Sequence, residues 1–398
     1  MLKTIGKFSF FRLLSMLLGI LSIPLLFRGL SSDQFNQWIS VMIIVNTVQG
    51  FDFGKGSVIR NTLAIGQGEN NQINSLVTSY QWISIFLFSL IYWLFIDEFI
   101  EHKMASILLY ILFIIFHGLK IMNSILYGFN KPVIVAKQAL YSRILFTILL
   151  VINLRYTLGY ECILIAFFCS QLTFQIYFIN KYGIFEFFKN ISFASCRELI
   201  TRKEFYFFLA QLIIGIMNEM DTIFIVHFSD FSELTQNEYF IFRKVFFQIV
   251  IFLGFALAPL WREITIIDNK SSLIKSIKSQ LIVVFIIAIV WFIAFNAIGF
   301  KFWARWNGIQ FHRNTLLYNM QLFVALRLFI AVLMNFLTAR SVVRANLLGA
   351  GILLLSFSVP FLTKCNISYL ANSFMLIWLI LLTYEYLNYV NKYKTENQ

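Results

Sequence analysis

Long apolar runs separated by short polar stretches fill almost the whole chain. Each run is close to the roughly 20 residues that a helix needs to cross about 30 Å of hydrocarbon. The spacing predicts twelve transmembrane helices, near residues 8–30, 36–53, 77–96, 104–128, 139–154, 161–180, 206–228, 238–260, 281–298, 315–338, 344–362 and 368–390. The runs are continuous rather than alternating, which predicts helices and excludes a membrane β-barrel. The fifth run is short, so the fifth and sixth are the pair most open to merging.

The longest polar stretch, 181–205, follows the sixth run. It divides the chain into an expected N-terminal lobe of six helices (1–180), a cytoplasmic linker (181–205) and a C-terminal lobe of six helices (206–398). Each set would begin and end on the same side, so a repeat relating them would be parallel, about an axis along the membrane normal. A weak internal echo agrees: Ser31-Ser32-Asp33 through Trp38 follows the first run, and Ser232-Glu233 through Tyr239 follows the seventh.

Composition removes the alternatives. Apolar residues are 59% of the 398 and charged residues 13%, against about 45–50% and about 25% in soluble domains. An ordinary cytosolic enzyme, a disordered chain, a disulfide scaffold and a collagen-like fibre are excluded. The four cysteines, Cys162, Cys169, Cys196 and Cys365, have no metal-type spacing and read as apolar-like thiols. Lys3 and Lys7 precede a first run without an A-x-A cleavage signal, so it reads as a retained span. The expected class is an all-α polytopic membrane protein.

The net charge of +13 would suggest nucleic acid in a soluble chain. Here the positive-inside rule supplies a plainer cause. With the N-terminus inside, nineteen Lys/Arg fall in inner segments, Lys55 and Arg60 among them, and six in outer ones. That asymmetry predicts both termini in the cytoplasm. Seven bases remain within the spans: Arg12, Arg28, Lys120, Arg143, Arg243, Lys244 and Arg327. A charge at mid-bilayer costs about 2.5–3.5 kcal/mol on the insertion scale, so such residues face protein or a wet cavity and are candidate functional groups.

Helical spacing groups them with polar neighbours. Arg327, Ala331, Asn335 and Thr338 share one side of the tenth span. Gln211, Gly215, Asn218 and Thr222 form a stripe on the seventh, flanked by Glu219 and Asp221, which read either as a protonatable coupling site or as neutralising acids. His117, Lys120, Ser124 and Tyr127 share a face of the fourth span, and Arg12, Ser15, Gly19 and Ser22 a face of the first. Gly and Ser there also suit close helix packing. Arg28 sits near the outer end of its span, where it can snorkel. Arg243 and Lys244 are adjacent, so at most one points squarely inward. Together these faces describe a cationic lining. It repels cationic cargo and favours an anion, phosphate above all, because guanidinium binds it bidentately. Gly54-Lys55-Gly56-Ser57 only faintly resembles a P-loop, lacking Gly at 49 and Ser or Thr at 56, so no nucleotide site or other cofactor is expected.

The local motifs resemble one family. Leu30-Ser31-Ser32-Asp33-Gln34-Phe35-Asn36-Gln37-Trp38, followed by Gly50-Phe51-Asp52-Phe53-Gly54-Lys55-Gly56-Ser57-Val58-Ile59-Arg60, is similar to the G-x-x-x-F/Y-G-x-W turn and D-x-G-x-G stretch of polysaccharide-unit transporters. Gly29 supplies the first glycine of the turn and Asn36 replaces the second. Met122 through Gly128, Asn218-Glu219-Met220-Asp221 and Pro259-Leu260-Trp261 resemble later family motifs in order. The chain is therefore identified as resembling the Wzx-type O-antigen flippases of the multidrug/oligosaccharidyl-lipid/polysaccharide exporter superfamily. The resemblance implies two six-helix lobes around a central cavity and alternating access. It implies an undecaprenyl-pyrophosphate-linked oligosaccharide as cargo, in a bacterial inner membrane. H⁺ or Na⁺ is a candidate coupling ion, and polymerase or chain-length proteins are candidate partners. The expected binding residues are Arg12, Arg28, Lys120, Arg243, Lys244 and Arg327, with Glu219 and Asp221 for coupling. A multidrug antiporter of the same fold and a Wzy-type O-antigen polymerase, which would be an enzyme, stand as rivals. The first would prefer an acidic cavity, and the second usually has a large external loop.

Overall fold

The computed structural model describes residues 2–49, 55–65, 70–188, 270–299, 315–339 and 367–395, with shorter pieces at 208, 238–243, 264, 301–302, 305 and 352. Nearly all of these residues are helical and none of them is in a strand, so the chain is an all-α polytopic membrane protein. Among the described residues seven helices are long and apolar enough to cross a membrane: Lys7–Gly29, Gln72–Phe95, Lys103–Gly128, Pro132–Tyr156, Tyr160–Lys181, Ser271–Ala297 and Asn372–Asn391. Tyr318–Met334 is a shorter apolar helix. The chain divides into two compact units, Met1–Gly215 and Ile216–Gln398. Most of the expected linker, 181–205, and most of the expected seventh, eighth and eleventh spans lie outside the described residues.

The first unit contains α1 (Leu2–Gly29), α2 (Ser32–Gln49), α3 (Lys55–Ile65), α4 (Asn70–Phe95), α5 (Lys103–Leu119), α6 (Ile121–Gly128), α7 (Pro132–Tyr156) and α8 (Tyr160–Lys181). Each of the first six expected spans meets a helix, α5 and α6 together making the fourth. The fifth and sixth do not merge. Pro132 opens α7, where its missing N–H costs nothing, and Thr157 ends it in the left-handed conformation, with φ 51°. The short helix α3 was not expected, because its bases read as an inner loop.

Helices α1 and α7 lie side by side and parallel. Ser15 donates its hydroxyl to the carbonyl of Ala139 at 3.3 Å, Gly19 faces Arg143 and Gly29 faces Leu154. The face of α1 that carries Ser15 and Gly19 is thus a packing seam, built from small residues that let two backbones approach. Gly128 does the same between α6 and α3: a Cβ there would stand 2.7 Å from the Cβ of Leu63.

The fourth span is broken at Lys120, whose N–H bonds the carbonyl of His117 at 3.2 Å. Lipid offers no partner for a carbonyl released at such a break. Two side chains of α4 supply donors: the hydroxyl of Tyr80 reaches the carbonyl of His117, and the amide of Gln81 that of Gly118, each at 2.6 Å. A Cβ at residue 118 would meet the Gln81 side-chain oxygen at 2.9 Å, so a larger residue there would have to shift the amide that reaches the Gly118 carbonyl.

The loop between α4 and α5 is held by acids. Glu161, in the first turn of α8, accepts the N–H groups of Glu101 and His102 through Oε1 at 2.7 and 3.0 Å, and its Oε2 lies 2.8 Å from His102 Nδ1. Asp97 accepts the hydroxyl of Ser106, and Tyr92 donates to the Ser106 carbonyl at 2.7 Å.

In the second unit the described long helices are α9 (Lys270–Ala294), α10 (Thr315–Ala339) and α11 (Ile367–Thr395). A π-helical turn, Phe295–Gly299, continues α9. Helix α9 turns Ile282, Phe285, Ile286, Ile289, Val290 and Ile293 outward, as a helix facing lipid does. Helices α10 and α11 run parallel: the side-chain amide of Asn372 donates to the carbonyl of Asn319 at 3.0 Å, and Phe336 packs on Tyr386 and Tyr389 further along both.

The two close helix seams respond differently to a methyl group. Gly128→Ala is expected to cost roughly 1–3 kcal/mol through overpacking. Gly19→Ala, whose Cβ would find its nearest neighbour at 3.6 Å, should be neutral. Thermal unfolding of the two variants in detergent checks the difference.

Candidate functional site

The first unit gathers bases around Tyr127 of α6. Arg60 of α3 places its guanidinium 5.9 Å from the centre of the Tyr127 ring, and its Nε donates to the Gly56 carbonyl at 3.4 Å. Arg12 of α1 has Tyr127 as its electrostatic partner and lies 5.8 Å from the ring of Phe8. Three helices therefore meet at one tyrosine. Arg143 of α7 lies one seam away, its guanidinium carbon 3.6 Å from the position a Cβ at Gly19 would take.

Lys120 sits at the break between α5 and α6, half-buried and in electrostatic reach of His117. His117 is wholly buried, with Phe88 and Phe113 at 4.4 Å and Phe116 at 4.9 Å. Neither of its ring nitrogens has a hydrogen-bond partner among the described residues. This is an apolar environment for a neutral imidazole, since a charged one would have no compensating acceptor.

Lys55 is 0% exposed, at the start of α3. By charge pattern it falls with Arg60 in an inner segment between spans, yet the fold encloses it together with Ser57 and Asn61 on the same helix. Arg28 is placed differently. It is exposed in the last turn of α1, about 24 Å along the axis from Arg12 at 1.5 Å per residue. A base there complements the helix dipole, and the fold does not bring it to the Tyr127 cluster.

In the second unit Arg327 is 4% exposed near the middle of α10. Its guanidinium lies 5.6 Å from the centre of the Trp378 ring of α11, and Trp378 is itself wholly buried. An indole face is the best aromatic partner for a cation, and desolvation raises the value of the contact to about 2 kcal/mol or more. Near one end of α10, Gln321 exchanges side-chain hydrogen bonds with Asn296 at 3.3 and 3.4 Å. Arg243 is 1% exposed, in the helical piece 238–243. Lys244, Glu219 and Asp221 lie outside the described residues.

Sequence reasoning did not assign four groups, three of which the fold buries and one of which, Arg143, it half-buries. Lys55 was hidden by its place in an expected loop. Arg143 was counted within a span but given no role. His117 shares the polar face of Lys120, Ser124 and Tyr127 on spacing alone, which assigns it no role. Glu385, 6% exposed on α11, lies seven residues after Trp378 and so on the same helix face. Its position inside the twelfth apolar run was the available signal. Among the described residues no three His, Cys, Asp or Glu side chains form a group fit to hold a metal.

No family model matches the chain, and no curated protein matches it. Solved structures do. The bent form of the Vibrio cholerae MATE transporter VcmN is 15% identical with a TM-score of 0.63, over 99% of this chain and 97% of that one. A MOP superfamily transporter from Pyrococcus furiosus, described as having a binding pocket of reverse polarity that suggests a different function, is 13% identical with a TM-score of 0.63, over 98% and 96%. An outward-facing multidrug resistance MATE transporter of the MOP superfamily is 14% identical with a TM-score of 0.61, over 99% and 96%. The fold of this chain is that of the MATE transporters of the MOP superfamily.

The Arg327–Trp378 contact can be measured directly. A double-mutant cycle of Arg327→Gln with Trp378→Leu, read by unfolding free energy in detergent, should give a coupling of about 1–2 kcal/mol. Strict additivity would show that the stacking contributes nothing.

Proposed function

We propose that this protein is a flippase that carries an undecaprenyl-pyrophosphate-linked oligosaccharide across a bacterial inner membrane by alternating access. The observation that carries the reading is the sign of the charge enclosed by the membrane-spanning helices. Lys55, Arg243 and Arg327 are buried and Arg12, Arg60, Lys120 and Arg143 half-buried. Against them, the buried carboxylates among the described residues are Glu385 and Glu161, and Glu161 is already engaged at a loop. The fold shared with solved transporters supports transport over polymerisation, and hence a protein that is not an enzyme.

The cargo's lipid tail stays in the bilayer. Its pyrophosphate and sugar hydroxyls are the parts that cannot enter hydrocarbon unsolvated. Each unit by itself offers charge-assisted hydrogen bonds to the pyrophosphate, the first through Arg12 and Lys120 and the second through Arg327 and Arg243, with Lys244 beside Arg243 in the sequence. Arg28 binds at the end of the path. Aromatic and amide side chains replace water around the sugars. With the inside negative, each negative charge moved outward gains about 2.3 kcal/mol per 100 mV. Protonation of Glu219 or Asp221 from outside, or Na⁺ binding there, resets the empty carrier. Both termini are cytoplasmic, and polymerase and chain-length proteins are its partners downstream.

A multidrug antiporter is the second reading, favoured by the solved multidrug relative in fold. A cationic lining opposes it, because it repels the cationic drugs such a carrier would export.

The test is the sidedness of lipid-linked repeat units in cells lacking the chain. They should collect on the inner face and be released by the native protein. Arg327→Ala should reduce flipping roughly 10- to 100-fold, as loss of a hydrogen-bonded charge of about 1.5–3 kcal/mol implies. Arg327→Lys should recover part of it. Units collecting outside would instead identify a polymerisation step and refute the flippase reading.

A further inference from the structure

The two ends of the first unit differ in a way that transport of a cargo does not require. The end holding the α4–α5 loop carries Asp97, Glu98, Glu101 and Glu161 beside its bases. At the opposite end lie the start of α1, the start of α7 and the end of α8, with Lys7, Lys131, Lys137 and Lys181 and, among the described residues, the one carboxylate of Glu186 in the turn after α8. Among the described residues no carboxylate pairs with any of these four lysines.

These lysines are held by aromatic rings instead. The ammonium of Lys131 lies 5.7 Å from the centre of the Tyr182 ring. That of Lys181 lies 5.3 Å from the Tyr177 ring and donates to its hydroxyl at 3.0 Å. Lys137 reaches the ring of Phe11, on α1, at 5.4 Å. The rings form a platform: Tyr141, Phe178 and Tyr182 stack nearly parallel, at interplanar angles of 10° and 7° and centroid spacings of 6.3 and 5.9 Å. Lys181 is also in electrostatic reach of Tyr182 and Tyr141, so the stack has Lys131 at its Tyr182 end and Lys181 beside it. An aromatic face orients an ammonium but leaves its charge uncompensated.

Apolar side chains begin where the lysines end. Phe10 and Leu14 on α1, Tyr141 and Ile144 on α7 and Ile176 on α8 are exposed. A surface that passes from exposed apolar side chains to aromatic rings and then to lysines follows the sequence of layers in a bilayer leaflet: acyl chain, interface and headgroup. An anionic headgroup is the only one of the common kinds that would compensate the charge.

We propose that the α1–α7–α8 end of the first unit is a docking surface for anionic phospholipid headgroups, with Lys131 and Lys181 gripping the phosphate and Lys7 and Lys137 flanking it. The occupant is a lipid rather than a soluble anion, because its acyl chains cover the apolar face that continues from the lysines. The docked lipid fixes this end of the unit in the anionic leaflet, independently of which cargo the protein moves.

The test uses the purified full chain in detergent, titrated with phosphatidylglycerol or phosphatidylcholine and read by native mass spectrometry. Phosphatidylglycerol should be retained in preference to phosphatidylcholine. Lys131→Gln and Lys181→Gln should each weaken its retention about fivefold, the value of one lysine at an anionic surface, and together about twentyfold. Both side chains are exposed, so neither change leaves a hole in the fold, and Lys131→Arg should keep full retention. Lys103→Gln, at the opposite end, should change nothing. Equal retention of the two lipids, or undiminished phosphatidylglycerol retention in the double variant, would overturn the proposal. So would displacement of the lipid by millimolar inorganic phosphate, which would identify a soluble-anion site. None of these readings involves the cargo, so they leave the flippase reading to its own test.

Discussion

A charge or an unpaired carbonyl inside a bilayer has no water to fall back on, so the protein must supply every compensating dipole itself. Much of this chain follows from that demand. Helices satisfy their own backbones, and where the fourth span breaks at Lys120, Tyr80 and Gln81 reach across from α4 to the carbonyls nearby. A neutral imidazole at His117 can be lined with phenyl rings. A guanidinium needs more, and here aromatic faces provide part of it.

Base and aromatic recur together in each unit considered by itself. In the first, Arg60 and Arg12 meet at Tyr127. In the second, Arg327 lies over Trp378. An aromatic partner suits a transport site better than a carboxylate would. It stabilises the cation without cancelling its charge. A tight ion pair would first have to be broken, at the cost of leaving a buried acid alone. The same chemistry at the α1–α7–α8 end, with lysine in place of arginine, suits a mobile headgroup at the membrane surface.

The apolar runs made the helices of the first unit legible, because a span of hydrocarbon sets their length with little dependence on neighbours. The start of α7 was less legible: the apolar run placed it near 139, whereas the helix opens at Pro132. Helix α3 was not legible: Lys55 and Arg60 read as solvated loop residues, and only enclosure by other helices makes Lys55 a buried base. The small-residue face of α1 suited packing or lining equally on spacing alone. Contact with α7 at Ala139 and Arg143 decided it for Ser15 and Gly19. Glu385 was hidden among twenty-nine residues of one helix until its burial set it apart.

What the sequence alone determined is the solvent this protein folds in, the helical class and the surplus of basic residues within the spans. Each is a property of composition and period, which survive whatever the helices do next to one another. What only tertiary structure decided is which bases are enclosed and by what. Arg12 and Arg28 sit on one helix, yet one meets Tyr127 and the other is exposed at the helix end. Arg327 finds an indole fifty-one residues away in the chain, over Trp378. Such pairings depend on the packing of helices distant in sequence, and a helical period records only the face on which a residue lies, never what that face will meet.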